Sequence, residues 1–297
     1  MLGQAMAKVL DRAAVPLTYL ELDVSDPRAV ATAMDRSRPS VLVNCAAATD
    51  VDRCEVDHAY ADAANTQGPQ ILADACVRQG IGLVHVSTDF VFDGSKDAPY
   101  KEEDAPNPLS YYGISKLRGE EAVLAVAHEL PQVLIIRTSW VYGTGGPIST
   151  NFPIKVLEWA TRSGKLRIAH DQFGSPTYAS FLAQGILGLL TAGAEGTFHL
   201  AGSGCASRLE FAREVITAAG LDVEIESAEA AEFPAPAPRP RQSCLDCSRA
   251  RALGVGLPSW REGVHRYVQY LLGNVSSGAD KWCTDVADQT IERHLHQ

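Results

Sequence analysis

Three short runs limit the fold more than any other feature of this chain: Val41–Ala47 (VLVNCAA), Gly82–Asp89 (GLVHVSTD) and Val133–Tyr142 (VLIIRTSWVY). Each is rich in β-branched residues and nearly uninterrupted by polar ones. A strand with one wet face alternates apolar and polar side chains, so uniform runs like these predict strands covered on both faces. Between the first two, NTQGPQILADACVRQG puts Ile71, Leu72, Ala75 and Cys76 on one helical face, with Gly80 placed to end the helix. Between the second two, YYGISKLRGEEAVLAVAHEL brings Val123, Val126, Ala127 and Leu130 round at helical spacing. Strand, helix, strand, helix, strand in this order predicts an α/β fold with a doubly wound parallel sheet of the Rossmann type. The earlier PLTYLELDVSDPRAV predicts one more strand, leading into a helix opened by Ser25, Asp26 and Pro27.

Past Tyr142 the pattern changes to short strands and helices separated by loops. We expect residues 1–145 to form a dinucleotide-binding unit. Residues 146–272 are expected to form mainly a smaller α+β substrate domain over the carboxyl edge of the sheet, with some segments returning to the first unit. Residues 226–242, ESAEAAEFPAPAPRPRQ, predict an irregular loop. Residues 273–297 show weak periodicity and read as an appendage of unassigned role.

A formal net charge of -10 argues against a general nucleic-acid or anionic-membrane binder, while leaving room for a small anionic substrate held by one local cation. No apolar stretch approaches the roughly 20 residues that span a bilayer, and no secretory leader is visible, so a cytoplasmic location is expected. The seven cysteines then read as reduced thiols. Cys244 and Cys247 make a lone CxxC with no second pair, and the histidines lack HExxH-type spacing, so no metal site is expected.

The chemistry concentrates in two stretches. In SYYGISK, Tyr112 and Lys116 are four residues apart and share one helical face. A phenol near pKa 10 is a poor proton donor or base at neutral pH, and a neighbouring ammonium brings it toward the working range. In VHVSTDFVFDG, a buried strand ends in Ser87, Thr88 and Asp89, at the edge where doubly wound folds bind ligands. The Thr88 hydroxyl can there bond the same substrate oxygen that Tyr112 protonates. Either stretch alone also suits a surface helix pair or a strand cap; their order and spacing together are far more specific.

These stretches, with VLVNCAAATDVDRCE, NTQGP, NPLSYYGISKLRGE, RTSWVYG, DQFGSPT, GTFHLAG and RPRQSCLDCSRARALGVGLPSW, resemble the extended short-chain dehydrogenase/reductases, and within them the dTDP-4-dehydrorhamnose reductases. The resemblance runs in family order from Gly3 to about Leu272. It implies a catalytic trio of Thr88, Tyr112 and Lys116. It also implies a cofactor, NADPH or NADH, bordered by Leu2, Gly3, Asp23, Val24, Ala46, Ala47, Ala48 and Asn65 together with Tyr112 and Lys116. The substrate side it implies is Val51, Asp52, Thr88, Asp89, Trp140 and Gln172, and no metal. The implied reaction is reduction of the C4 keto group of a dTDP-linked deoxyhexose to dTDP-L-rhamnose, with hydride from the nicotinamide and a proton from Tyr112. A homodimer is compatible with the same reading.

The chain departs from the family pattern at its beginning. MLGQAMAKVL carries only the end of a glycine-rich turn, with Gly3 as its third glycine, and the strand that precedes such a turn is absent. We expect from this a start about ten residues further upstream, since that strand occupies the centre of a doubly wound sheet. An in-frame stop upstream with no strand and glycine turn would defeat the expectation. The end of the second strand is blurred, so NAD or NADP preference is not legible, and Phe90 stands where a tyrosine is common. Two other readings remain open at this stage. One is a non-catalytic dinucleotide-binding regulatory subunit like the methionine adenosyltransferase β subunit, which shares stretches similar to GTFH, RPR and LDCS. The other is a nucleotide-sugar epimerase; a 4,6-dehydratase is disfavoured because Phe90 cannot transfer a proton.

Overall fold

The computed structural model describes residues 1–146 and 151–273. The chain opens with helix α1 (Leu2–Arg12), then α2 (Pro27–Ser37), strand β1 (Val41–Asn44), α3 (Val51–Val56), α4 (His58–Asp62), a π turn (Ala63–Gln67) and α5 (Gly68–Gln79). Strand β2 (Gly82–Thr88), α6 (Tyr111–Ala125), β3 (Val133–Thr138), β4 (Val141–Tyr142), α7 (Phe152–Ser163) and β5 (Lys165–Ala169) follow. The remainder is β6 (Phe173–Gly174), β7 (Thr177–Tyr178), α8 (Ala179–Thr191), β8 (Gly196–His199), β9 (Ala206–Ser207), α9 (Arg208–Ala219), β10 (Glu224–Ala228), α10 (Ser248–Ala252) and α11 (Trp260–Leu271).

Four strands make the central sheet in the order β1-β2-β3-β8, all parallel. Successive side chains along a strand point to opposite faces, and here each face is a core. Val84, Leu134 and Ile136 join one apolar cluster with α8, α9 and α11, while Leu83, Val133 and Ile135 join another with α2 and α5. That two-sided burial is the physical origin of the uniform strands in the sequence. Helix α1 packs on α8 on the first face. Gly80 (φ 65) and Gly220 (φ 66) close α5 and α9 in the left-handed region, as their positions in the sequence predict.

Three expectations need correction. Residues 15–23 form no strand: Val15, Leu17, Tyr19 and Leu20 are exposed, and the segment does not pair with β1, the outermost described strand. The helix after it does form, capped by Asp26, whose side chain accepts from the amides of Arg28 and Ala29. The segment expected to be irregular from residue 226 begins as strand β10, pairing in parallel with β5; its alternately exposed, acidic residues hide it from a hydrophobic pattern. Cys205 and Cys244 are disulfide-bonded rather than both reduced, because the antiparallel pair β6–β9 and the chain after Arg241 bring their Cα atoms to 5.6 Å. Cys244 therefore does not pair with Cys247, which is buried with a free thiol. Of the tail, residues 274–297 lie outside the described residues. Among the described residues no helix is long and apolar enough to cross a membrane.

Candidate active site

Strand β2 delivers Thr88 and Asp89 to the carboxyl edge of the sheet. The Thr88 hydroxyl accepts from the Phe90 amide at 3.2 Å and donates to Asp89 Oδ1 at 3.1 Å, turning the chain sharply out of the strand. Asp89 is 2% exposed, and its Oδ2 accepts from Ser139 at 2.8 Å and from Ser243 at 2.5 Å. Burial pushes its carboxyl above the usual carboxylate range, and the three hydroxyls pull the other way.

Helix α6 carries Tyr112 and Lys116 against that turn. Ser110 caps it by accepting from the Gly113 amide at 3.3 Å. The helix lies unusually close to its surroundings at two glycines. A Cβ on Gly113 would sit 2.2 Å from the Phe90 carbonyl oxygen, and one on Gly119 would sit 2.2 Å from that of Asn65. Tyr112 is buried edge-on to Phe90, 5.6 Å between ring centres. Burial raises its pKa, the adjacent Thr88 hydroxyl opposes this, and the charges of Asp89 and Cys54 add to it, so the phenol stays protonated at neutral pH. Lys116 is 1% exposed; burial lowers its pKa to about 8, with Glu120 and Cys45 opposing. Its Nζ donates to the Val86 carbonyl at 2.7 Å and lies 3.5 Å from His85 Nε2. The ammonium therefore turns toward β2 and is not among the groups that set the Tyr112 pKa, unlike the direct effect expected from the shared helical face. One turn further along α6, Glu120 receives the Arg137 guanidinium at 2.7–3.2 Å, both side chains buried, and this fastens α6 to β3.

On the other side of β2, Ala46, Ala47 and Ala48 follow β1 and leave the strand end free of bulk, Ala48 itself being buried. Asn65 is fully buried and spends its amide on the protein: it donates to the Ala48 carbonyl at 3.0 Å and the Ser115 hydroxyl at 3.1 Å, and accepts from the Ala48 amide at 2.9 Å. It ties the alanine loop to α6. The other expected cofactor residues lie at the start of the chain, where Gly3 approaches Cys45, and just before α2. Leu2 belongs to the main core, Gly3 abuts the Tyr19 ring, and Val24 packs in the second core against Gly68. Asp23 is exposed and closes a local turn onto Ser25, which lowers its pKa.

The other expected substrate residues sit on a second set of segments, which would form the second wall of the site. Val51 opens α3; next to it, Asp52 accepts from Arg239 at 2.8 Å and from the Ala237 amide at 3.2 Å, bridging that loop to the proline-rich segment. Trp140 interrupts the long apolar run between β3 and β4, with φ 44, a strained value for so large a side chain. The Arg208 guanidinium lies 3.6 Å from the centre of its ring, and the backbone of Gly174 is so close that a Cβ there would be 2.4 Å from the indole. Gln172 meets the same corner through its carbonyl, which accepts from the Arg208 amide at 3.0 Å. Burial lowers Arg208 to about 10, with Asp89 opposing and Arg239 adding. The sequence reading passed over Asn44, His85, Glu120, Arg137 and Arg208. His85 and Arg137 were visible as polar interruptions of apolar strands; Arg208 gave no comparable signal.

A sequence profile of the family described as RmlD substrate binding domain matches residues 1–272. A dTDP-4-dehydrorhamnose reductase of Sinorhizobium fredii is 40% identical over 262 residues, covering 84% of this chain and 86% of that protein. Among solved structures, a dTDP-4-dehydrorhamnose reductase from Clostridium acetobutylicum superposes with TM-score 0.85 at 35% identity, over 91% of this chain and 96% of that one. Another from Bacillus anthracis, in complex with NADP, superposes with TM-score 0.84 at 31% identity, over 90% and 94%. With the Thr88, Tyr112 and Lys116 arrangement above, these likenesses assign the chain plainly: it belongs to the RmlD family of dTDP-4-dehydrorhamnose reductases.

Proposed function

We propose that this chain is an NAD(P)H-dependent reductase that converts the C4 keto group of dTDP-4-dehydro-L-rhamnose to the alcohol of dTDP-L-rhamnose, with Tyr112 as proton donor. The observation that carries the reading is the meeting of Thr88 and Tyr112 in one buried corner at the carboxyl end of the sheet, with Lys116 one helical turn behind. The residues fit a nicotinamide and its ribose. The Ser87 hydroxyl is buried with no hydrogen bond among the described residues, small side chains follow β1, and Lys116 lies one helical turn from Tyr112. Ala46, Ala47 and Ala48 would border such a cofactor and Lys116 would hold its ribose; when bound, its reduced nicotinamide supplies the hydride.

The protein supplies the proton and the geometry. Because burial keeps Tyr112 protonated, it enters the reaction as an acid, and its proton passes to the sugar oxygen as charge develops there. Thr88 stands beside the same phenol, and its one hydroxyl hydrogen, given to Asp89 Oδ1 in this structure, would have to turn to that oxygen to stabilise the developing charge. Asp89 holds Thr88 from behind and ties it to Ser139 and Ser243 on the second wall. Trp140, Arg208 and the Asp52–Arg239 bridge shape that wall, where a nucleotide-sugar would lie.

Purified protein, NADPH or NADH and dTDP-4-dehydro-L-rhamnose test the reading by loss of nicotinamide absorbance. Turnover by the wild type that falls at least about a hundredfold in Tyr112→Phe is expected. Dinucleotide binding without any turnover would instead favour the regulatory alternative, and a tightly retained NAD the epimerase.

A further inference from the structure

Behind Lys116 lies a short line of buried polar side chains that the reaction as described does not use. Asn44 ends β1 and His85 sits within β2, directly across the ladder from it, with 4% and no exposure respectively. The Asn44 side chain is oriented by its own loop: its Oδ1 accepts from the Ala46 amide at 3.0 Å. That leaves its NH2 group facing His85 Nδ1 at 3.1 Å. An amide NH2 only donates, so Nδ1 accepts and bears no hydrogen. Burial holds His85 neutral, with the Lys116 charge adding to the effect. In a neutral imidazole the one hydrogen then sits on Nε2, and Nε2 lies 3.5 Å from Lys116 Nζ.

This geometry distinguishes the two forms of the lysine. An ammonium offers only N–H groups and meets the Nε2–H donor to donor. An uncharged amine keeps the bond to the Val86 carbonyl and turns its lone pair to Nε2–H. We propose that His85, locked in its Nε2–H tautomer by Asn44, is a positioning residue that favours the uncharged amine of Lys116. Its consequence for catalysis rests on the reductase reading; the charge state itself does not. Among the described residues, three other titratable groups lie on the elements around Lys116. Glu120, one turn on, favours the ammonium but is engaged by Arg137 of β3. Cys45, just past β1, also favours it. Tyr112, one turn back, stays a neutral phenol. Burial by itself lowers Lys116 to about 8, and the Nε2 hydrogen of His85 would act in the same direction.

The test reads the tautomer and the lysine directly. In full-length protein carrying 15N-histidine, imidazole 15N shifts are expected to show His85 Nδ1 without hydrogen and Nε2 with it. The Lys116 side-chain signal, assigned by its loss in Lys116→Met, gives the pKa of the amine. Asn44→Asp keeps the acceptor for Ala46 but forces the hydrogen onto Nδ1, so the Lys116 pKa should rise by about one unit or more. His85→Gln adds no charge and can turn a carbonyl oxygen to the ammonium, so it should raise the pKa as well. The alkaline limb of the reduction rate against pH should move up with it. A hydrogen on Nδ1 in the wild type overturns the proposal, as does an unmoved lysine in His85→Gln, the variant that adds no charge; a shift in Asn44→Asp alone counts as the effect of its added anion and overturns it too, and if a variant fails to fold, the wild-type tautomer still decides. An inactive wild type whose lysine shifts as expected would sink the reductase reading and leave this one standing.

Discussion

Substituting alanine for Gly113 probes the contact that joins the catalytic helix to the turn after β2. At an open position inside a helix, Gly→Ala stabilises by up to about 1 kcal/mol. Here the new methyl would lie 2.2 Å from the Phe90 carbonyl oxygen and 2.8 Å from Pro108 Cβ. Carbon and oxygen approach comfortably to about 3.3 Å, so helix and turn must part by roughly 1 Å. Overpacking of this kind costs about 1–3 kcal/mol. After a gain in helix propensity of up to about 1 kcal/mol, a net loss of up to about 2 kcal/mol remains, or up to roughly 3 °C in Tm for a chain of this size. Tyr112 is the neighbouring residue, and Thr88 sits at the head of the displaced turn. A misplacement on the order of 1 Å lowers kcat by about a hundredfold while KM changes little. Calorimetry and steady-state kinetics on the purified variant measure both. A variant that melts above the wild type would refute the reasoning, because it would mean that α6 does not press on Phe90 at all.

Two further perturbations address the buried charges. Lys116 titrates near 10.5 in an unfolded chain and near about 8 when folded. Between those values the unfolded chain holds a proton that the folded chain has released, so stability climbs with pH across the window and the cost of the buried charge is full below it. Lys116→Met should therefore be more stable than the wild type at pH 7 by up to about 3 kcal/mol, with the gain fading toward pH 10.5 and reduction lost throughout; denaturant titrations that show no such convergence would count against it. Glu120→Ala leaves the Arg137 guanidinium buried without its anion, with Nη1 already lacking a hydrogen bond among the described residues. The expected loss is about 3–5 kcal/mol by denaturant melt, and one under about 1 kcal/mol would mean that water reaches the pair.

The sheet was legible because β2 and β3 are buried on both faces and leave no room for polar alternation. Its helix ends were legible because Gly80 and Gly220 sit where only a left-handed residue closes a helix. Residues 15–23 misled for a reason of physics: a segment that alternates leucine with other residues reads as a strand, yet becomes one only when it pairs with a neighbour. β10 was hidden for the opposite reason, since Glu224 and Glu226 face solvent and lie beside Lys165. At the site, the helical spacing of Tyr112 and Lys116 was plain, but the direction of the ammonium was not. It depends on the Val86 carbonyl and on His85, which reach it from an adjacent strand 30 residues back in the chain. Asn65 shows the same limit, since a side chain that seems free to meet a ligand is spent on fastening Ala48 to α6.

Asp89 has a further consequence. Its carboxylate gathers Thr88, Ser139 and Ser243, groups drawn from the end of β2, the break after β3 and a loop 154 residues further on. A cleft assembled from such distant stretches would ordinarily open and shut as two jaws. Bolted through one buried carboxyl group, the turn after β2, the break after β3 and the Ser243 loop are held as one unit, so a substitution at Asp89 would loosen all three together.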